Sequence, residues 1–395
     1  MISKEEREAV LRVLERGTLS DYQGNWSEHF YGGEEIKALE KEWADYFGVK
    51  HAIAVNSATS GLWAALVAIG LQQNFNDIEN KIVPACGGLE FDNGAEYEAN
   101  EVIVTPYSMT CSASMPLHFG AKPVFADIEE DYFCLDPKSV EKKITYNTKA
   151  IIVVDLFGQP YDADAINEIA ERKGKEYGHK IYVIEDAAQA IGAKYKDKYA
   201  GTLGDIGVYS LNRHKHIQTG EGGMIVTNDH DLALRLRLVI NHSEAVINDA
   251  ELKNENNVES ISWYKDYTRL VGMNLRMTEI QAAIAREQLK KLDGILKEIR
   301  DNAKYFNIKV RPECEHAYYR YTITNDIQRN FDKVPKKFRI EASQFIMDKF
   351  NYKYHYITPI YKMPLFRELG YKQDQCPVCE KVEENIVLAW SKETP

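Results

Sequence analysis

Three side chains whose chemistry could combine occur close together in the chain: the carboxylate of Asp186, the hydroxyl of Ser210 and the amine of Lys215. Ser210 follows Asp186 by 24 residues, and Lys215 follows Ser210 by five. This set suits pyridoxal 5'-phosphate (PLP), because a lysine amine can form a Schiff base with its aldehyde. A carboxylate that faces the pyridine nitrogen keeps that nitrogen protonated, so the ring can accept electrons, and a serine hydroxyl can hold the phosphate.

Two buried strands are expected to position these side chains. Apolar residues precede Asp186 at 181–184 and precede Ser210 at 206–209, a pattern that indicates buried strands. Ligands of open α/β sheets bind beyond the ends of strands, so we expect the polar side chains at one edge of a sheet. The glycines of 220–223 would let the backbone pass close to a ligand at that edge.

Each of these features has an ordinary interpretation when it is taken alone. A single aspartate at a strand end more often caps a helix. A single lysine in a loop is usually a solvated charge, and a glycine-rich segment is usually a turn. The order and spacing of the three features together favour a cofactor site.

The same stretch carries three motifs of one known family. They are an E-D-A-A-Q strand end at 185–189, an S-x-x-x-x-K segment at 210–215 and a G-E-G-G turn at 220–223. In these motifs the chain resembles the DegT-like (DegT/DnrJ) family of PLP-dependent sugar aminotransferases, which have the aspartate-aminotransferase fold type I. The resemblance covers almost the whole chain.

The resemblance implies roles for four residues of this stretch. Lys215 corresponds to the Schiff-base lysine and Asp186 to the pyridinium partner, and these two are the implied catalytic residues. Gln189 is similar to the residue beside the ring oxygen, and Ser210 to a phosphate ligand.

A second candidate for phosphate binding lies where a short strand, 51–55, leads into a helix through Ser-Ala-Thr-Ser-Gly-Leu at 57–62. Backbone N–H groups and the helix dipole attract an anion at such a start. The family motif is S-G-T-x-A-L, so Ala58 replaces a glycine of that motif. Thr59 and Ser60 are the cradle candidates, with Ala58 beside them. An ordinary capped helix remains the alternative.

Two further cofactor contacts are implied by the resemblance. The family usually stacks an aromatic residue on the pyridine ring, where this chain has Met109, with Tyr107 two residues earlier. A thioether can also cover a ring face, so both residues stay open. The segment 272–277 is similar to the family's G-x-N-x-R-M, in which the asparagine, here Asn274, reaches the cofactor phosphate of the neighbouring subunit. A homodimer is therefore expected, although Asn274 could instead begin a helix.

Alternating strands and helices between 101 and 186 predict a parallel-rich sheet covered on both faces. The resemblance implies an α/β fold with a mostly parallel seven-stranded sheet flanked by helices, plus a smaller α+β C-terminal domain. We expect a large PLP-binding domain at 1–255, with an insertion at about 72–100. The small domain would occupy 256–395 and include one long connecting helix to about residue 304.

Composition excludes several other classes of function. The net charge of −11 disfavours nucleic acid or an anionic membrane as the main partner. No apolar run approaches the roughly 20 residues that span a bilayer, and the charged N-terminus lacks a signal-peptide core, so we expect a cytoplasmic protein. Six cysteines do not make a disulfide framework in a chain of 395 residues, and the single C-x-x-C at 376–379 predicts no metal site.

The resemblance implies transfer of an amino group from an amino acid, by analogy glutamate, to a keto sugar. The sugar would be linked to a nucleotide, and the pathway would be amino-sugar or surface-polysaccharide biosynthesis. One alternative is a PLP-type nucleotide-sugar dehydratase, because such relatives replace the lysine with histidine and this chain has His214 and His216 beside Lys215. Another is a non-catalytic PLP-binding sensor or structural subunit. The register of Lys215 after Ser210 favours the aminotransferase.

Overall fold

The computed structural model describes residues 2–25, 27–71, 99–244, 270–306, 308–323 and 358–390. The insertion predicted at about 72–100 lies almost entirely outside the described residues. The predicted domain boundary between residues 255 and 256 also lies outside them. The division into two domains therefore stays a prediction.

Twelve strands are described, seven of which form one sheet. The strands are β1 (His51–Val55), β2 (Glu101–Val104), β3 (Lys122–Phe125), β4 (Thr148–Val154), β5 (Tyr182–Asp186), β6 (Lys194–Tyr195), β7 (Lys198–Tyr199), β8 (Ile206–Ser210), β9 (Gly223–Thr227), β10 (Cys314–Glu315), β11 (Arg320–Ile323) and β12 (Val387–Trp390). The order across the large sheet is β1-β9-β8-β5-β4-β2-β3. Six of these strands run in one direction, and β9 runs opposite to them. The predicted mostly parallel seven-stranded sheet is confirmed.

Helices cover both faces of this sheet. The described α-helices are α1 (Lys4–Arg16), α2 (Glu34–Phe47), α3 (Ala58–Ala68), α4 (Cys111–Ser114), α5 (Pro137–Lys143), α6 (Ala163–Tyr177), α7 (His230–Ile240), α8 (Glu279–Leu289), α9 (Leu292–Ala303), α10 (Pro364–Glu368) and α11 (Pro377–Asn385). Within the described ranges, no helix combines the length and the apolar character needed to cross a membrane.

The core divides according to the two faces of the sheet. Leu62 of α3 and Val208 of β8 are buried in one cluster, together with Leu236 of α7. Tyr209, the next residue of β8, is buried on the other face with Trp43 of α2. Consecutive strand residues point to opposite faces, so strands covered on both sides contain almost no exposed position. The continuous apolar runs that predicted buried strands have this origin.

The prediction of one long connecting helix is wrong. The structure has α8 and α9 instead, joined at Lys290 and Lys291. The N–H of Lys291 bonds to the carbonyl of Gln288 at 3.1 Å, three residues back, so the chain tightens into a 3₁₀-like turn there. Lys291 also pairs with buried Glu6 of α1 at 2.7 Å. No proline or glycine at the junction signals this break.

Candidate active site

The ends of four strands meet at one edge of the sheet. Asp186 ends β5 and Ser210 ends β8, which runs parallel to it. Gly223 begins β9 and pairs with Ser210 on one side and with Val55, the last residue of β1, on the other. The chain leaves β1 at Val55 and enters α3 three residues later. The polar residues predicted from sequence are thus delivered to one edge, as expected for an open α/β sheet.

Asp186 is held in a buried and specific orientation. It is 5% exposed. The hydroxyl of Ser112 donates to its Oδ2 at 3.0 Å, and the N–H of Ala188 donates to its Oδ1 at 3.2 Å. Burial raises the pKa of Asp186 above its ordinary 3.8, while the Ala188 hydrogen bond, the positive charge of Lys215 and the Ser112 hydrogen bond act in the opposite direction. The structure therefore brings Asp186 and Lys215 into the same electrostatic environment.

Lys215 lies in the loop between β8 and β9. Its backbone N–H donates to the carbonyl of Asn212 at 2.9 Å, which tightens the loop. Its Nζ is 4.4 Å from the ring centroid of Tyr319. Lys215 also acts electrostatically on Cys111, whose pKa is raised to about 11, first by burial and then by Asp186. The positive charge of Lys215 thus acts on Asp186 and on Cys111, the first residue of α4.

The N-terminus of α3 packs directly against the start of β9. A Cβ on Gly223 would lie 2.7 Å from the backbone nitrogen of Ala58 and 2.7 Å from the carbonyl carbon of Ser57, so only glycine fits there without displacement. The first helical bond of α3 runs from Gly61 N–H to Ser57 O at 3.0 Å. The N–H groups of Ala58 and Thr59 precede that bond, and such groups are the usual anion ligands of a helix start.

Ser60 is used within the helix cap. Its N–H donates to the Oγ of Ser57 at 3.1 Å, and the two hydroxyl oxygens are 2.9 Å apart. The hydroxyl of Thr59, by contrast, interacts with the thiol of Cys111 on the side of Asp186. Of the three residues predicted for the cradle, Ala58 and Thr59 have the freer backbone N–H groups. Phosphate binding by all three stays a prediction.

Gln189 and Ser210 support the local backbone. The Oε1 of Gln189, 7% exposed, accepts the N–H of Phe157 at 3.0 Å. Phe157 has a φ of +59°, a conformation that is uncommon for a bulky residue and needs such support. The Oγ of Ser210 accepts the N–H of Asn212 at 3.2 Å at the start of the Lys215 loop. Their predicted contacts with the ring oxygen and the phosphate remain untested.

The two candidates for covering the ring differ in exposure. Tyr107 is 1% exposed and meets Phe157 edge to face, with 6.3 Å between ring centroids. Burial raises its pKa, as expected for a phenol within the core. Met109 is 49% exposed, and its carbonyl accepts the N–H of Ser112 at 3.2 Å. Of the two, Met109 is therefore the residue at the accessible rim.

Asn274 lies beside β1 and not at a helix start. Val55 forms an antiparallel bridge with Arg276, two residues after Asn274. The exposed Asn274 accepts the Nε of Arg276 on its Oδ1 at 2.9 Å. Helix α8 begins five residues later at Glu279, and the Oγ1 of its N-cap residue Thr278 accepts the N–H of Gln281. The alternative interpretation of Asn274 as a helix-start residue is therefore wrong.

Comparison with known proteins identifies the family. The model of the DegT/DnrJ/EryC1/StrS aminotransferase family matches residues 3–391. The chain belongs to this family. It is therefore an aminotransferase, as the sequence motifs predicted.

Relatives and solved structures agree with this family. The chain is 31% identical over 393 residues to the spore coat polysaccharide biosynthesis protein SpsC of Bacillus subtilis, covering 95% of this chain and 87% of the relative. It is 39% identical over 288 residues to the GDP-perosamine synthase of Caulobacter vibrioides, covering 73% and 62%. The crystal structure of an aminotransferase from Psychrobacter cryohalolentis superposes with a TM-score of 0.73 at 26% identity, covering 98% and 91%.

The residues of this DegT-family site fit PLP, which has a phosphate, an aldehyde and a pyridine nitrogen. The helix start at Ala58 and Thr59, closed by Gly223, offers the N–H groups that suit a phosphate. Lys215 offers an amine for the aldehyde. Asp186 offers a buried carboxylate oriented by two donors, which suits a protonated ring nitrogen.

Two residues of the site were missed by sequence analysis. Ser112 orients Asp186 from 74 residues earlier in the chain. Tyr319, which immediately precedes β11, contacts Lys215 from 104 residues later in the chain. Neither has a local motif, since each is defined only by the fold. The cluster of tyrosines at 318, 319 and 321 was the one available signal for the second.

A pair of carboxyl groups, Asp155 and Glu185, lies behind Asp186 on the opposite face of the sheet. Val153 pairs with Glu185 and Val154 with Asp186, so Asp155 and Glu185 share the face away from Asp186. Glu185 accepts the N–H groups of three loop residues at 2.6, 2.8 and 3.2 Å. Burial raises the pKa of Asp155, and the nearby Glu185 carboxylate raises it further. Burial raises the pKa of Glu185 as well, but its hydrogen bonds to Asp155 and to the loop N–H groups act in the opposite direction, which favours a proton on Asp155 over one on Glu185.

A metal site is not evident within the part of the chain that the structure describes. No group of three or more His, Cys, Asp and Glu side chains there could hold a metal ion. Cys376 and Cys379 are fully buried, and burial raises the pKa of Cys376 to about 12. The N–H groups of Val378 and Cys379 donate to Asp127 at 2.9 and 3.0 Å. This C-x-x-C segment forms the start of α11, which the carboxylate of Asp127 caps.

Proposed function

We propose that this sugar aminotransferase takes its amino group from glutamate and gives it to a keto sugar that is linked to a nucleotide, using PLP. The proposal rests on one observation above all. The buried carboxylate of Asp186, the amine of Lys215 and the N-terminus of α3 lie together at one edge of the sheet. Acid, amine and anion site are the three elements that PLP chemistry requires of a protein.

Each residue has a defined task in this proposal. Bound PLP would supply a ring that accepts electrons from the reacting carbon of the donor. Lys215 would attach the cofactor and, once free, accept the proton from the donor α-carbon on its Nζ. Asp186 would hold a proton on the ring nitrogen, with Ser112 fixing the orientation of its carboxylate. Ala58, Thr59 and Ser210 would hold the phosphate.

The charges around Lys215 support an anionic substrate. Burial lowers the pKa of His214, and Arg213, Arg320 and Lys215 lower it further, so these three cations lie around one imidazole. The Nε of Arg213 is 3.1 Å from the Nε2 of His214. Clustered guanidinium groups suit carboxylates and phosphates. Both the dicarboxylate of glutamate and the diphosphate of a nucleotide sugar match this rim.

The names of two relatives support the nucleotide. The Caulobacter relative is a GDP-perosamine synthase. A Helicobacter pylori relative, 30% identical over 290 residues, is named UDP-4-amino-4,6-dideoxy-N-acetyl-beta-L-altrosamine transaminase. Two different nucleotides occur in these names, so the proposal extends to a nucleotide-linked sugar and not to one nucleotide.

The described contact of His216 does not favour the dehydratase. Relatives of that type replace the lysine with histidine, and here the Nε2 of buried His216 lies 2.9 Å from the carbonyl oxygen of Ala317. His216 is thereby directed toward β11 and not toward Asp186. Lys215, in contrast, acts electrostatically on Asp186.

We further propose a two-fold homodimer in the cytoplasm, with a large domain at 1–255 and a small one at 256–395. The exposed position of Asn274 beside β1 supports the dimer, because an exposed side chain is available to a neighbouring subunit. Closed two-fold dimers are also the commonest assembly of soluble proteins.

The test is a substrate screen with glutamate and nucleotide-linked 3-keto and 4-keto sugars, read by release of 2-oxoglutarate. We expect release with at least one such sugar and none with the free sugar. Lys215→Ala should abolish release, and borohydride reduction followed by mass spectrometry should find the cofactor on Lys215. Lys194→Ala is the matched control, since the Nζ of Lys194 lies 3.7 Å from the Oε1 of Glu315 in the small sheet formed by β6, β7 and β10. A cofactor label on another lysine would contradict the assignment.

A further inference from the structure

Tyr319 presents its ring to two cations. Only 4% of its surface is exposed. The Nζ of Lys215 is 4.4 Å from the ring centroid, and the guanidinium carbon of Arg320 is 5.3 Å from it. Both distances are within the range of cation–π attraction. No role for this residue follows from the motifs of the sequence.

The backbone beside Tyr319 is hydrogen-bonded to Gly158 and to the Lys215 loop. The N–H of Ala317 donates to the carbonyl of Gly158 at 2.9 Å. The carbonyl of Ala317 lies 2.9 Å from the Nε2 of His216, the residue after Lys215. A Cβ on Gly158 would lie 2.6 Å from the nitrogen of Tyr318, so these two backbones touch. The backbone that carries the ring is therefore tied to the Lys215 loop.

This attachment continues to a predicted cofactor ligand. Gly158 follows Phe157, whose N–H donates to the Oε1 of Gln189. Three hydrogen bonds thus connect Gln189 with the Lys215 loop through residues 157–158 and Ala317. Tyr319 follows Ala317, where these connections meet, by two residues.

The charges that surround Lys215 make such a ring useful. Arg213 and Arg320 carry fixed positive charge. Burial and these cations lower the pKa of His214, which favours its neutral form. Asp186 is the acidic group in the same environment, with the thiol of Cys111 beside it. The negative face of an aromatic ring attracts a positive amine, and it adds this attraction to that of Asp186 without a further charge.

We propose that Tyr319 is a positioning residue for Lys215. Its ring face would hold the amine of Lys215 next to Asp186 whenever that amine carries no cofactor. The inference rests on the proposed role of Lys215. It commits to the ring face and not to the hydroxyl as the group that acts.

The test compares Tyr319→Phe, which keeps the ring face, with Tyr319→Leu, which removes it. A third variant, Tyr319→Met, fills a similar space with a flexible side chain and guards against a folding failure of the leucine variant. The full-length protein, stripped of cofactor and checked by circular dichroism, is acetylated with acetic anhydride across a range of pH. Mass spectrometry measures the labelling of Lys215 relative to Lys41, an exposed lysine paired with Asp45.

We expect Lys215 in the phenylalanine variant to follow the wild-type pH profile. In the leucine and methionine variants, labelling near neutral pH should rise about threefold to tenfold, because loss of the ring favours the reactive neutral amine. The pH of half-maximal labelling should fall correspondingly, whereas a merely looser site would raise labelling equally at every pH.

Two outcomes would overturn the inference. Wild-type profiles in the leucine and methionine variants would mean that Tyr319 only packs. Equal shifts in the phenylalanine and leucine variants would mean that the hydroxyl acts instead. Labelling does not depend on turnover, so failure of the substrate screen with an intact labelling difference would reject the proposed substrate and not the role of Tyr319.

Discussion

At the scale of single residues, Asp186 couples folding to pH. Its pKa in the folded chain is raised above the ordinary 3.8, chiefly by burial. The folded state therefore binds the proton of Asp186 more tightly than the unfolded chain does. The stabilisation from this proton is complete below a pH of about 3.8 and is lost as the pH rises through the raised pKa.

This sign leads to a prediction for the cofactor-free protein. Asp186→Asn lacks the titrating group, so its free energy of unfolding relative to wild type should increase as the pH rises from about 4 to about 8. Each unit of difference in pKa corresponds to about 1.4 kcal/mol. Thermal unfolding of both proteins across this range measures the effect. Parallel curves would contradict it. With PLP bound, the same variant should lose activity by orders of magnitude, because a neutral amide does not favour the pyridinium.

The carboxyl pair behind Asp186 yields a second prediction. If Asp155 carries the proton, Asp155→Asn replaces an O–H donor with an N–H donor and should change stability by less than about 1 kcal/mol. Glu185→Gln puts an amide where an anion accepts three N–H groups, and should cost about 1 to 3 kcal/mol. Chemical denaturation measures both. A larger loss from the asparagine than from the glutamine would reverse the assignment of the proton.

At the scale of elements, the contact between α3 and β9 shapes the helix start that is predicted to hold the phosphate. Gly223→Ala should displace the N-terminus of α3, because its Cβ would lie 2.7 Å from Ala58 N. We expect a loss of about 1 to 3 kcal/mol in stability and weaker binding of PLP, measured by denaturation and by absorbance titration. The matched control is Gly294→Ala in α9, where a Cβ meets nothing within 4 Å and a helical alanine should stabilise by up to about 1 kcal/mol. Unchanged affinity of Gly223→Ala for PLP would mean that this helix start does not bind the cofactor.

Strands and site positions differ in how far the sequence could predict them. Strands β5 and β8 followed from apolar runs, and Asp186 and Ser210 followed as their last residues. The orientation of Asp186 did not follow, because Ser112 belongs to another element that the fold brings alongside. The break between α8 and α9 was missed because no local residue enforces it. Local patterns predict elements, whereas contacts between elements require the topology.

At the scale of the whole molecule, the proposed dimer makes a prediction about mixed active sites. Lys215→Ala lacks the amine, and Asn274→Asp would set a carboxylate against the phosphate of the neighbouring site. Each homodimer should be impaired. A mixed dimer would contain one site with both Lys215 and a wild-type Asn274, and one site with both defects.

Activity of up to about half of wild type per mixed dimer is therefore expected by two-fold symmetry. It is measured after subunit exchange, which differently tagged chains can verify by copurification. Mixing Lys215→Ala with Asp186→Asn is the control. Both residues belong to the site of their own subunit, so each site of this mixed dimer still carries one of the two defects. Confirmed exchange without recovered activity would mean that Asn274 does not act across the interface.

The position of β1 has a consequence for synthesis of the chain. In the described sheet, β1 lies at the edge and pairs with β9 alone. Val55 therefore cannot pair until Gly223, 168 residues later, has been made. At roughly 5 to 20 residues per second, a ribosome needs about 10 to 30 seconds to supply that partner. During this time β1 has no strand of the described sheet to pair with. The helix start that is predicted to hold the phosphate therefore stays incomplete until more than half of the 395 residues have been made, and chaperone demand should concentrate in this interval.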